Sequence, residues 1–312
     1  MFIVLEIETY EPTHHDPLIA NLKQTLENQD AFKNHEVFTT LTNKTLEHPI
    51  PLKIAVASGK GGVGKSTITL ALALGLKELG FRVGILDADL YGPSIPHMFS
   101  YDQKPLTDES GHIIPAEKEG VHFISMGLFL DKTTPIIWRG PILQKTIKQF
   151  LTQVAWPPLD FILIDLPPGT GDIQLSLIQQ SAISQALVVS TPQDIALLDA
   201  TRAVEMFKKL EVPLCGIVEN MSYYICPNCD HEDHIFSHGG AKKLAGDYGI
   251  PYLGEIPLNS KIQRACDTAD RAILSEEPSF KSMTQEFLKA MPPAFQRPLS
   301  DDKTKSARGA AV

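Results

Sequence analysis

Ten residues, SGKGGVGKST (58–67), constrain this chain more than any other stretch of it. They follow the apolar run KIAVA (53–57) and open the helical pattern TITLALALGLKEL, so strand, glycine-rich loop and helix come in that order. The run fits G-x-x-x-x-G-K-[ST], with Gly59, Gly64, Lys65 and Ser66 in the fixed places. Each residue type has a physical reason. Gly59, Gly61, Gly62 and Gly64, with Val63 among them, let backbone N–H groups turn inward around phosphate oxygens. Ser66 and Thr67 begin a helix whose N-terminus adds partial positive charge. Lys65 is placed to reach the β- and γ-phosphates of a nucleotide, and the Ser66 hydroxyl to bind Mg²⁺. Lys60, inside the loop, is not required by the motif. It reads either as a solvent-exposed charge or as an extra cation over the phosphates, supplied across a dimer interface.

From Lys53 to about Ala290, short apolar runs alternate with helical periodicity. RVGILDAD, VHFISMG, FILIDLPPG, ALVVSTP and PLCGIVENM read as further strands. Helices are expected over 141–153, 172–182, 193–210, 239–247 and 259–268, and Gly80 suits the end of the first helix. Strands alternating with helices mean βαβ units. The predicted fold is α/β, a three-layer P-loop NTPase with a mainly parallel central sheet flanked by helices. LTDESGHIIPAEKEG reads as a small inserted hairpin. The expected organisation is an N-terminal appendage (1–50), the P-loop ATPase domain with its C-x-x-C loop (51–292) and a disordered polar tail (293–312). One amphipathic helix is expected in the appendage over Asp16–Phe32, with Leu18, Leu22 and Leu26 on one face.

Composition excludes several classes. With 28 Lys+Arg against 37 Asp+Glu the formal charge is −9, which argues against bulk nucleic-acid binding. No run of about 18 apolar residues is present, so no membrane-spanning helix is expected. The start, MFIVLEIETYE, lacks the basic n-region of a secretory signal. Four cysteines in 312 residues do not make a disulfide framework. A cytoplasmic protein without nucleic-acid or membrane partners is expected.

Carboxylates recur at strand ends, the edge where open α/β sheets bind ligands. LDADLYGPS places Asp87 and Asp89 two residues apart, on one face of an extended chain. Each also suits a strand-end cap; Asp87 otherwise supports Mg²⁺ or the loop. Asp165 ends FILID, the position of a Walker B carboxylate that reaches Mg²⁺ directly or through water. PPGTGD then reads as a γ-phosphate-sensing switch with Gly169 and Gly171 permitting movement. Asp172 reads as a helix cap. Asn220 ends PLCGIVEN, and its amide suits either an adenine edge or a turn.

Cys226-Pro-Asn-Cys229 can grip one metal or cluster but cannot complete a tetrahedral site alone. Three completions compete. His231, His234 or His238 could make a zinc site, although the spacing is tighter than usual for zinc fingers. The pair could form a redox disulfide, but it lacks a thioredoxin-like setting. Two subunits could each give two thiolates to a shared [4Fe–4S] cluster. The last needs the same two-fold symmetry as a trans-acting Lys60. Cys215 and Cys266 read as ordinary buried residues.

The stretch KGGVGK resembles the deviant Walker A signature of the ParA/MinD/nitrogenase-iron-protein group. Taken in order, VASGKGGVGKST, LDADLYGPSIP, DLPPGTGD, TPQDIALLDA, GIVENMSYYICPNC, IFSHGG and LGEIPL resemble the Mrp/ApbC family of iron–sulfur cluster carriers over about residues 53–275. The resemblance implies an ATP-hydrolysing homodimer that binds a bridging [4Fe–4S] cluster and delivers it to apo iron–sulfur proteins, working with cluster-assembly scaffold proteins. It carries Cys226 and Cys229 over as cluster ligands and Lys60 as the signature lysine that acts on the opposite subunit's nucleotide. Lys65 is its catalytic phosphate-loop lysine, Asp89 the aspartate that positions water, Asp165 the Mg²⁺-linked acid, and Asn220 a base contact. Two departures stand out. Only about 50 residues precede the core, where many family members have a separate N-terminal domain. Ser237 and His238 stand in IFSHGG where the family has a Gly and a variable residue.

Three rival readings share the loop. A positioning ATPase like ParA or MinD would need a basic DNA-binding surface or a membrane helix. A zinc-stabilised regulatory NTPase would hold no cluster. In a reductase like the nitrogenase iron protein, the two cluster cysteines lie far apart in sequence.

Overall fold

A computed structural model of the chain describes residues 2–9, 36–43, 51–89, 92–129, 150 and 152–295. The chain divides into two compact units, residues 1–49 and 50–312. In the first, β1 (Phe2–Thr9) and β2 (Glu36–Asn43) pair in parallel, in register from Phe2–Glu36 to Thr9–Asn43. The helix expected over 16–32 lies outside the described residues, as do nearly all of the helix expected over 141–153 and residues 296–312 of the tail.

The second unit is built on one sheet with two small hairpins beside it. Its strands are β3 (Leu52–Ala57), β4 (Val83–Asp87), β5 (Leu106–Thr107), β6 (Ile113–Ile114), β7 (Ala116–Lys118), β8 (Val121–Ser125), β9 (Phe161–Asp165), β10 (Gln185–Ser190), β11 (Leu214–Asn220), β12 (Tyr224–Ile225), β13 (Glu232–Asp233) and β14 (Tyr252–Ile256). Its helices are α1 (Lys65–Glu78), α2 (Ile95–Met98), α3 (Asp172–Gln180), α4 (Asp194–Lys209), α5 (Gly240–Tyr248), α6 (Ser260–Thr268), α7 (Arg271–Glu276) and α8 (Pro278–Lys289). The sheet order is β14-β11-β10-β3-β9-β4-β8-β7, parallel throughout except where β7 folds back on β8. The expected hairpin is the β5–β6 pair.

Strands β4 and β9 are buried at every position, and β3 and β10 nearly so, because helices cover both faces of the sheet. Alternation then divides the residues between two cores. Ile54 and Val56 of β3 face one core, with α1, α6, α7 and α8. Ala55 and Ala57 face the other, with α3, α4 and α5. This is the three-layer arrangement that the repeated strand–helix pattern predicts. The reading of the sequence did not extract β14, α7 or α8. In α8, Phe280, Met283 and Phe287 follow helical spacing and are buried against the first core. In β14 the buried positions are only Leu253 and Ile256, with Gly254 and Glu255 between them, so no period shows. The parallel order brings the C-terminal ends of β3, β4, β9 and β11 to one edge, with Val56 and Asp87 both in register with Asp165.

Candidate functional site

The phosphate loop joins β3 to α1 at that edge. Gly64 sits at φ +84°, in the left-handed region that excludes most side chains, and a Cβ there would run into the Asn220 amide. A Cβ at Gly59 would strike the backbone of Asp199 in α4. The loop is thus pinned between α4 and the end of β11. Lys65 is buried, and its ammonium lies 2.7 Å from Asp165 Oδ1. The Ser66 hydroxyl donates to Asp165 Oδ2 at 2.6 Å. Thr69, which sequence reasoning missed, places its hydroxyl 3.0 Å from both the Lys65 carbonyl and Asp165 Oδ1. Its signal was available: one helical turn separates it from Lys65 on the same face. The structure therefore brings Lys65, Ser66 and Asp165 together. Ser66 Oγ and the Asp165 carboxylate are hard oxygen donors side by side under the loop. That set fits Mg²⁺, which takes one or two protein oxygens together with waters and phosphates.

Asp87 and Asp89 have different surroundings. Asp87 is fully buried; it accepts from Ser125 Oγ at 2.8 Å and from the Asp89 N–H at 3.1 Å. Burial, with the Asp165 carboxylate nearby, pushes its pKa up to about 8. Asp87 thus holds the backbone from which Asp89 projects. Asp89 Oδ1 accepts from the Gly92 N–H at 3.2 Å, and Asp89 lines a cleft of about 380 Å³ over the loop, with His97 and Pro168. The PPGTGD segment is tied to this edge through Gly169 N–H to Ser58 O (3.2 Å) and Gln174 Nε2 to Pro167 O (2.8 Å). Helix α3 begins at Asp172 with Gly171 at the cap position; the Asp172 side chain, expected as a cap, lies outside the described residues. Lys60 is half-buried, its ammonium 3.4 Å from Gln193 Oε1 at the start of α4. Asn220 stands behind the loop and donates to the Val63 carbonyl at 2.8 Å. Cys266, expected as an ordinary buried residue, is only half-buried and lines the cleft, its thiol 3.7 Å from Thr67 Oγ1, because α6 packs beside the loop.

Cys226 and Cys229 occupy the turn of the β12–β13 hairpin, which follows β11 by three residues. The Cys226 N–H donates to the His231 carbonyl and the Asp230 N–H to the Cys226 carbonyl, both at 2.9 Å. Cys229 is exposed and Cys226 half-buried, and both are free thiols. The Asn228 N–H, then the Cys229 thiol and N–H, hydrogen-bond Cys226 and lower its pKa below the usual thiol value. The rings of His234 and His238 lie with centroids 4.1 Å apart, their planes tilted by 34°. Their Nε2 atoms face carboxylates: Glu232 at 3.4 Å for His234 and Glu255 at 3.1 Å for His238. Among the described residues, no group of three or more His, Cys, Asp or Glu is placed to hold a metal ion. Also among them, no helix is long and apolar enough to cross a membrane. Cys215 is buried in β11, and burial pushes its thiol up to about 12.

A parallel sheet covered on both faces, with this loop at its edge, defines a P-loop NTPase. The family model of the NUBPL iron-transfer P-loop NTPases, within ParA, matches residues 50–291, and the chain belongs to this family. It is 48% identical over 222 residues to a protein of Haemophilus influenzae named iron-sulfur cluster carrier protein, a match covering 71% of this chain and 60% of that one. Among solved structures, it resembles an Archaeoglobus fulgidus nucleotide-binding protein in complex with ADP. That likeness has a TM-score of 0.65 and 38% identity, over 73% of this chain and 90% of the other. The cell division ATPase MinD of Pyrococcus furiosus shares the fold, with a TM-score of 0.58 and 21% identity over 78% of this chain and all of MinD.

Proposed function

We propose that the chain binds and hydrolyses ATP, and that two copies hold a [4Fe–4S] cluster between them for delivery to apo iron–sulfur proteins. The observation that carries this reading is the thiol pair at the tip of the β12–β13 hairpin. It offers two ligands, and no group of three protein ligands stands there among the described residues. A Cys₄ cluster needs four thiolates, and a two-fold axis supplies them from two identical hairpins. The zinc reading needs His231, His234 or His238 beside the thiols, yet among the described residues no group of three such ligands is placed there, and the Nε2 atoms of His234 and His238 face carboxylates. The cluster-carrier name of the Haemophilus influenzae relative supports the same conclusion. The matched region spans 60% of that protein's length, so activity, cargo and recipients are proposed for this chain and not transferred to it.

In this reading ATP is the substrate and the cluster the cargo. Ser66 and Asp165 would hold Mg²⁺, which when bound would neutralise phosphate charge. Lys65 leaves Asp165 for the phosphate oxygens. Asp89 orients the attacking water and is held for it by Asp87 and the Gly92 N–H. Lys60 reaches the partner's nucleotide.

The test is anaerobic reconstitution with iron and sulfide of wild type and Cys226→Ala, read by visible absorption, metal content and oligomer mass. The expected result is about four irons per dimer in the wild type. Cys226→Ala keeps ATP binding and loses iron, whereas Lys65→Ala loses ATP turnover. A normal iron complement in Cys226→Ala, or tightly held zinc without colour, overturns the cluster assignment.

A further inference from the structure

The C-terminal end of β11 touches the phosphate loop and runs on into the cysteine hairpin. Asn220 Nδ2 donates to the Val63 carbonyl at 2.8 Å, and both residues are buried. The Met221 side chain reaches over Gly64, its Cε 4.0 Å from where a Cβ would stand. Met221 itself holds φ +57°, a left-handed conformation unusual for a residue with a long side chain.

Ser222 follows, wholly buried. Its N–H donates to the Ile256 carbonyl of β14 at 3.0 Å, and its hydroxyl donates to Glu219 Oε1 at 2.6 Å. Its carbonyl lies 3.4 Å from His234 Nδ1, just beyond the second strand of the hairpin. Glu219 also receives the N–H groups of Gly239 and Ala241, at 3.0 and 2.6 Å, at the start of α5. Tyr224 then opens β12, and Cys226 follows it. The PPGTGD loop has no such connection. Among the described residues, its hydrogen bonds go to Ser58 and to α3, and none reaches the hairpin.

We propose that the Asn220–Met221–Ser222 turn is the link that carries nucleotide occupancy of the phosphate loop to the thiol hairpin. The inference rests on the nucleotide and cluster reading above. A loop that tightens around phosphates moves the Val63 carbonyl, and the Asn220 amide moves with it. Met221 sits in the small left-handed region, whose narrow limits leave little room for φ and ψ to absorb a shift, so the turn passes the displacement on. Ser222, anchored by its hydroxyl to Glu219, delivers it to both sides of the hairpin, through the chain to Tyr224 and through its carbonyl to His234. Asn220, Met221 and Ser222 are positioning residues in this scheme.

The experiment is hydrogen–deuterium exchange of the full chain, with and without a saturating non-hydrolysable ATP analogue and Mg²⁺. It follows two peptides, one covering 58–67 and one covering 222–234. In the wild type, both are expected to slow by about fivefold or more. In Ser222→Ala the loop peptide still slows, but the hairpin peptide no longer responds; Ser222→Thr, which keeps the hydroxyl, restores the response. Met221→Gly frees the pivot without removing a hydrogen bond. It uncouples the two peptides too, and decides the matter if the other variants fold poorly. A wild-type hairpin that ignores the analogue while the loop responds overturns the inference and leaves the ATP site standing, as does a hairpin response that survives in the variants. A loop peptide that never responds overturns the nucleotide reading itself.

Discussion

Asp87 shows how far a residue's neighbours can change its chemistry. Its carboxyl is buried with two donors and an acidic neighbour, and its pKa rises from 3.8 to about 8. The sign follows from linkage. The folded state keeps a proton that the unfolded state releases above pH 4, so the contribution to stability is greatest below that value. It is lost as pH climbs towards 8, at up to about 1.4 kcal/mol per pH unit. Asp87→Asn removes the charge and should be more stable than wild type at pH 8 by a few kcal/mol. At pH 4 the two should be nearly equal, which urea melts at the two pH values would show. The cysteines divide by the same physics. Iodoacetamide followed by mass spectrometry should label Cys229 and Cys226 first, because neither is buried and the hydrogen bonds to Cys226 lower its pKa. Cys215, buried with its pKa raised, should stay unlabelled in the native chain. From sequence, Cys226 and Cys229 stand out by spacing. Cys266 could not be placed at the cleft, because its approach to Thr67 spans 199 residues of chain.

At the level of elements, α8 carries weight that the linear sequence did not announce. Phe280, Met283 and Phe287 close the first core against α1 and β14, and Phe287 stacks edge-on to Phe161 at 5.9 Å. Phe287→Ala should cost about 3–5 kcal/mol in denaturant unfolding. ATP binding should survive at temperatures where the fold holds. The phosphate loop is the opposite case: strand, loop and helix are contiguous, so local pattern suffices to place all three. The β12–β13 hairpin lies between. The C-x-x-C spacing marks its turn, but which partners surround it depends on β14 and on the segment after β13, through Glu255, His234 and His238.

For the molecule as a whole, the proposed dimer is the statement most open to a decisive trial. Within one chain the Lys60 ammonium rests near Gln193, 3.4 Å away. If it acts across a two-fold axis, Lys60→Ala alone should lose turnover by about a thousandfold, the scale of a trans-acting cation in phosphoryl transfer. Asp89→Ala should be similarly inactive. Mixing the two should restore roughly a quarter of wild-type turnover, since a mixed dimer keeps one complete site. No recovery would mean that Lys60 serves its own subunit.

The sequence by itself determined the class of fold, the loop, the acids at the strand ends and the thiol pair. Each of these is a local pattern, set by residues within one strand–turn–helix unit or one short turn. The tertiary structure decided what those groups face. Parallel pairing of β3, β4 and β9 placed Asp87 beside Asp165, and so a carboxyl that a linear reading takes as an ordinary acid is held protonated near neutrality. The pairing of β11 with β14 set Asn220 behind the phosphate loop and Ser222 against the hairpin. Such contacts join residues up to 157 positions apart, and only packing of the sheet and its helices brings them within hydrogen-bond reach.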